Sequence, residues 1–149
     1  MVEIYVDADA CPVKDEVLKV AGRHKLRVHV VSNQWMRLID APWINKVVVP
    51  EGPDAADDWI AENITETDIA VTADIPLADR CLKKGATTIN MNGKLFTEES
   101  IGMALAMRDL MKDLRDAGEV SGGNAPFSKQ DRSSFLQALE NAVQAAKRS

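Results

Sequence analysis

Aspartates carry most of the chemistry open to this sequence, and they gather where short apolar runs end. Asp7-Ala8-Asp9 closes the run VEIYV, Asp54, Asp57 and Asp58 follow the run ending at Val49, and Asp74 follows DIAVT-Ala73. Asp7 and Asp9 are two residues apart, so in extended backbone their side chains point to the same side. Carboxylates crowded at one edge repel one another and resist ionising together. A hard divalent cation removes that penalty, because Mg²⁺ and Mn²⁺ take oxygen ligands in octahedral geometry. Asp9, Asp54 and Asp74 also have a plainer reading, since each precedes a predicted helix, where a carboxylate caps free N–H groups. Asp7 ends a strand and has no helix to cap. Singly, three of these acids read as caps; as a set they point to a metal site. Asp58 and Asp79 read as solvated surface.

Few other residue types compete. Lys14 stands one helical turn into the first helix, within reach of the acids, or else on the surface. Cys11 lies near the acids without a histidine beside it and reads as packing, while His24 and His29 have no partner at a useful spacing. Trp35, Trp43 and Trp59 read as packing residues, although Trp35 in Ser32-Asn33-Gln34-Trp35 follows the end of a strand. Arg108 and Arg115, seven apart on one helical face, can grip phosphates together with Lys129 and Arg132. Asp109, Asp113 and Asp116 are interleaved with them, so an ordinary solvated face fits equally well.

The elements that must position these groups alternate. Strands are predicted at Val2–Val6, Arg27–Val31, Lys46–Val49, Asp68–Thr72 and Thr87–Met91. Helices are predicted from about Pro12 to Gly22, from Asp54 with Ala56, Trp59, Ile60 and Ile64 on one face, and from Ile75 to Lys84. Ser32 to Pro42 reads as loop with a short turn of helix. Apolar strands separated by helices imply a parallel sheet covered on both faces, and such sheets bind ligands at the carboxyl ends of their strands. Two further helices close the chain. The first spans about 97–117, with Thr97 as N-cap and a stripe of Met103, Met107, Leu110 and Leu114. The second spans about 129–147, with Phe135, Leu136, Leu139 and Val143 inward.

At 149 residues the chain suits one α/β domain, which buries roughly two-thirds of its unfolded surface. No apolar run approaches the ~20 residues that a membrane helix needs, and no secretory leader is expected, so the reading is cytoplasmic. The two cysteines, 70 residues apart and outside any CxxC motif, read as reduced thiols. A net charge of −5 argues against a surface that coats nucleic acid broadly. The charge is uneven, however: residues 1–107 hold 11 Lys/Arg against 17 Asp/Glu, and residues 108–149 hold 7 against 6.

DADACPVK (Asp7–Lys14), GPDAADDWI (Gly52–Ile60), DIAVTADIPLA (Asp68–Ala78), LAMRDLMKDLR (Leu105–Arg115) and GGNAPFSKQDRSSF (Gly122–Phe135) together resemble the YaiI/YqxD family of uncharacterised bacterial proteins. That resemblance implies a PIN-like fold: a parallel sheet with helices on both faces, here with the two C-terminal helices added. PIN-like domains are typically Mg²⁺- or Mn²⁺-dependent ribonucleases. Matched by motif, Asp7 is the strand-one acid, Asp57 the helix acid and Asp74 the strand-four acid. Asp9, Asp54 and Thr72 are supporting groups. Ala73 departs from the polar residue expected in that motif.

The expectation is therefore a metal-dependent nuclease acting on RNA, with a non-catalytic metal- or RNA-binding module as the alternative. A phosphatase of the haloacid-dehalogenase type also opens with Asp-x-Asp. It would use Asp7 as nucleophile and Asp9 as acid/base, but it needs a later pair of acids, and Asn90–Asn92 stands where they belong.

Overall fold

A computed structural model describes residues 2–9, 11–35, 37–38, 41–50, 54–116 and 127–148, and of residues 108 and 111–116 it describes the backbone alone. The elements run β1 (Glu3–Asp7), α1 (Lys14–His24), β2 (Arg27–Ser32), β3 (Ile44–Val48), α2 (Ala55–Asn63), β4 (Ile69–Val71), α3 (Ile75–Lys83), β5 (Thr87–Ile89), α4 (Glu98–Asp116) and α5 (Lys129–Lys147). The five strands form one parallel sheet in the order β3-β2-β1-β4-β5. The chain builds outward from β1 to β2 and β3, then returns to place β4 on the other side of β1. The direction of winding therefore reverses between β1 and β4, and such a reversal opens a crevice at the carboxyl ends of the strands. The parallel sheet expected from the residue pattern, and the PIN-like architecture that the family resemblance implies, are the ones observed.

Both faces of the sheet are covered, as the strand sequences require. Ile4 and Val6 of β1, Val28 and Val30 of β2, and Ile69 and Val71 of β4 are buried on the face of α1 and α5, with Val17, Phe135, Leu139 and Val143. The alternate residues Tyr5, Val31 and Ala70 meet Ile60, Leu77 and Cys81 of α2 and α3. This alternation is the two-residue period of a strand whose faces are both apolar. At the opposite edge from the crevice, buried Asp68 accepts hydrogen bonds from the backbone N–H of Glu3 and Thr65 and from the Thr65 hydroxyl. It ties β4 to β1 there and takes no part in the crevice.

Several local expectations are corrected. Gly22 does not end α1; it lies inside it, where an added Cβ would stand 3.4 Å from the Trp43 ring. The terminating left-handed residue is Lys25, at φ 58°. The helical turn expected between Ser32 and Pro42 falls partly on residues 36, 39 and 40, which lie outside the described residues, and the described ones there are not helical. Gly93, at φ 92°, is required by close approach, since a Cβ would meet the Ser134 carbonyl oxygen at 2.5 Å.

The two last helices differ in how they dock. Helix α5 opens with a reciprocal cap between Ser128 and Asp131 and buries Phe135, Leu139 and Val143. Thr97 caps α4 as expected, accepting from the N–H of Ser100 at 3.0 Å. The described part of the α4 stripe, however, does not pack inward: Ile101 is buried while Met103, Met107 and Leu110 are exposed, and the Leu114 side chain lies outside the described residues. At about 100° per residue, Met103 stands about 200° round the helix from Ile101, Met107 about 240° and Leu110 about 180°. Seating Ile101 therefore turns the stripe outward.

Candidate metal centre at the sheet edge

Asp7 is the last residue of β1 and lies half-buried beside the crevice. Its Oδ2 accepts a hydrogen bond from Thr72 Oγ1 at 3.0 Å. Thr72 follows β4 and is fully buried; its hydroxyl oxygen in turn accepts from the backbone N–H of Asp74 at 2.9 Å. One threonine thus joins the strand-one acid to the strand-four acid across the β1/β4 seam. Asp74 Oδ1 accepts from the N–H of Leu77 at 2.9 Å, so it caps α3 as well.

Asp57 enters from the first turn of α2. Its carboxyl is pushed up to about 6 from the ordinary 3.8, first by burial and then by the charges of Asp74, Asp7 and Asp54, with Arg80 opposing. Asp7 is also raised, first by burial; the Thr72 hydrogen bond opposes this, and the charges of Asp74 and Asp9 add to it. Asp7, Asp57 and Asp74 are thus near enough to act on one another's charge. Asp54 stands at the N-cap position of α2 without a side-chain cap bond. Its charge is free to act on Asp57, contrary to the capping alternative.

Asp9 does not cap α1, whose N-cap is Val13. Instead its Oδ1 accepts from Ser32 Oγ at 2.6 Å and its Oδ2 from the N–H of Asn33 at 3.3 Å. Ser32 was missed as a site residue. The available signal was its place as the last residue of β2, beside β1 at the carboxyl edge. Lys14 opens α1 half-exposed, and its charge acts on the Cys11 thiol, which burial raises to about 11.

Elsewhere the candidates separate. Arg132, considered as a phosphate ligand, is committed to the fold: it donates to the Pro12 carbonyl at 2.9 Å and pairs with Glu16. The side chains of Arg108 and Arg115 lie outside the described residues. Asp58 pairs with Arg80, and Asp79 with Lys83, both at the surface. His29 is structural, bonded to Glu3 and Asn45 and stacked on Tyr5 at 4.4 Å between centroids. His24 pairs with Glu140 of α5. Trp59 packs against Tyr5 and His29, but Trp35 is 71% exposed, contrary to the packing role expected of it.

The donor chemistry fits a hard divalent cation, because every group in the cluster is a carboxylate or hydroxyl oxygen and the acids repel one another. Among the described residues, no three His, Cys, Asp or Glu side chains converge closely enough to hold a metal ion. In this arrangement Asp74 is turned to its helix and Asp9 to Ser32. Ligation by the full set would need these side chains to turn inward.

No described helix is long and apolar enough to cross a membrane. No solved structure matches the chain. Its sequence is 64% identical to the UPF0178 protein of Rhodospirillum rubrum over 147 residues, covering 98% of each chain. It is 61% identical to the UPF0178 protein of Parvibaculum lavamentivorans, covering 99% of this chain and 97% of that one. A third UPF0178 protein, from Paramagnetospirillum magneticum, is 60% identical over 148 residues. The family model described as the uncharacterised bacterial YaiI/YqxD family matches residues 5–145. On a match spanning nearly the whole sequence, this chain belongs to the YaiI/YqxD family.

Proposed function

We propose that the protein is a metal-dependent nuclease that hydrolyses RNA phosphodiesters at the β1/β4 crevice. The observation that carries this reading is that Asp7 and Asp57, acids from separate elements brought to one edge, are both raised, each opposed by the charge of Asp74 from a third element. Asp7, Asp57 and Asp74 would hold Mg²⁺ or Mn²⁺, with Asp9 as a fourth oxygen donor. When bound, such an ion offsets phosphate charge and acidifies water. Thr72 fixes the rotamer of Asp7 and the backbone of Asp74. Ser32 holds Asp9, and Asp54 adds negative charge that favours cation capture. The two free, buried thiols suit a cytoplasmic location.

A non-catalytic metal- or RNA-binding module is the second reading. It is favoured by the engagement of Asp74 and Asp9 in structural hydrogen bonds. Labelled single-stranded RNA and a simple phosphate monoester, each with and without Mn²⁺, separate the readings. The expected result is slow RNA cleavage that needs Mn²⁺ and is abolished by Asp7→Asn. Turnover of the monoester alone would point to a phosphatase, and turnover of neither to the binding module.

A further inference from the structure

Trp35 is 71% exposed and, among the described residues, is the only aromatic ring left in the open. A large indole face in water forgoes the stabilisation that burial gives such side chains. Its position is not that of a stray surface residue. Ser32 Oγ donates to Asp9 Oδ1 at 2.6 Å and accepts from the N–H of Gln34 at 3.0 Å, while the N–H of Asn33 donates to Asp9 Oδ2. The turn that delivers Trp35 is thereby tied to the acidic edge. Lys46, held by the Leu38 carbonyl, places its ammonium 6.0 Å from the Trp35 centroid, at the outer reach of a cation–π contact. Arg37, two residues on, is exposed and lies with Asp15, Lys19 and Trp43 on the α1 side instead. The flank of an otherwise acidic edge therefore offers one flat aromatic face with one cation beside it.

We infer that Trp35 is a stacking platform for an unpaired nucleobase of a single-stranded polynucleotide, with the Lys46 ammonium as the cation beside the ring. The polynucleotide class rests on the nuclease reading; the stacking role rests on the exposure and placement of the ring. Successive bases on aromatic faces beside cationic side chains are the general means of holding single strands without reading sequence. A protein partner fits less well. The neighbouring residues Asn33, Gln34 and Lys46 are polar or charged; of the apolar residues along this wall Val30 is buried, Leu38 and Val47 are half-buried, and Val48 alone is exposed. That is less than the apolar centre of a protein interface. The platform also offsets an electrostatic problem, since a chain of net charge −5 repels a polyanion over most of its surface.

The test is binding rather than turnover. A fluorescein-labelled single-stranded RNA ten-mer is titrated with the full-length protein in EDTA, and anisotropy gives the dissociation constant. Stacking of one base is worth roughly 1–3 kcal/mol, so Trp35→Ala should weaken binding by about 5- to 150-fold. Trp35→Phe should keep most of the affinity, and the same ten-mer in duplex form should bind Trp35→Ala and wild type alike. Quenching of tryptophan fluorescence on adding single strand should be lost in Trp35→Ala. Equal single-strand affinity for wild type and Trp35→Ala overturns the inference. So does an equal loss on duplex, or no binding by the wild type. A change in self-association without a change in RNA affinity would assign Trp35 to a protein contact instead. The two readings fail separately: Trp35-dependent binding without Mn²⁺-dependent cleavage removes only the nuclease, and cleavage by a protein indifferent to Trp35 removes only the platform.

Discussion

Asp57 is opposed in its ionisation by burial and by three carboxylates, and this sets the sign of a pH dependence. Its folded-state value of about 6 lies above the ordinary 3.8, and Asp7 shifts the same way. Between these two values the native state binds more protons than the unfolded chain, so stability falls as pH rises. The contribution of Asp57 is greatest below about pH 4 and is lost by about pH 6, the reverse of an ion-paired carboxylate. In EDTA, Asp57→Asn should melt a few degrees higher than wild type at pH 7.5 and at nearly the same temperature at pH 4. A lower melting temperature for the variant at pH 7.5 would mean that Asp57 is held by the fold rather than strained by it. Metal should act on the same repulsion. Mn²⁺ should raise the wild-type melting temperature, because a ligand of the native state stabilises it. Asp7→Asn and Asp74→Asn should each lose that response while still folding, since Asn at position 74 still accepts the Leu77 N–H. An undiminished Mn²⁺ response in the double variant would count against the metal centre.

Arg132 of α5 spans to α1 and joins two elements across 116 positions of sequence. It grips the Pro12 carbonyl, just beyond the Asp7–Asp9 turn, and pairs with Glu16 in the first turn of α1. Glu16 is only 9% exposed, and its second oxygen has no hydrogen-bond partner. Such an acid is sustained by the single cation that it meets. Arg132→Ala should therefore destabilise by about 1–3 kcal/mol, the penalty of a buried group left without its partner. Urea unfolding of Arg132→Ala, Glu16→Ala and the double variant measures it. The double variant should lose less than the sum of the two single losses, because each single change removes the same contact. Simple additivity would show that the pair is not coupled.

At the scale of the whole molecule, the sheet is one wall shared by two apolar layers, so the layers should melt together. Phe135 is fully buried on the α1/α5 face, and Ile60 is buried on the α2/α3 face. Phe135→Ala should cost about 3–5 kcal/mol and Ile60→Ala about 2–5 kcal/mol. Both should shift a single transition followed by circular dichroism in urea, with little change in its slope. Two separated transitions in either variant would show that the faces unfold independently.

Much of this was legible in the residues. The runs VEIYV and DIAVT, each followed by turn and helix signals, and the apolar run RVHVV determine strands buried on both faces and hence a parallel sheet, because those signals act over a few neighbouring residues. Asp7 was readable as a site residue on the same ground, since it ends a strand with nothing to cap. Tertiary structure alone decided that β4 lies beside β1, which brings Thr72 onto Asp7 from 65 positions away. It also turned Asp9 toward Ser32, committed Arg132 to Glu16 across 116 positions, and left Trp35 and the α4 stripe in the open. Periodicity tells a helix that it has an apolar side, but not what will cover that side. Which acid caps, which cation is spoken for and which ring stays exposed are settled by long-range packing, which brings together residues whose local signals carry no record of one another.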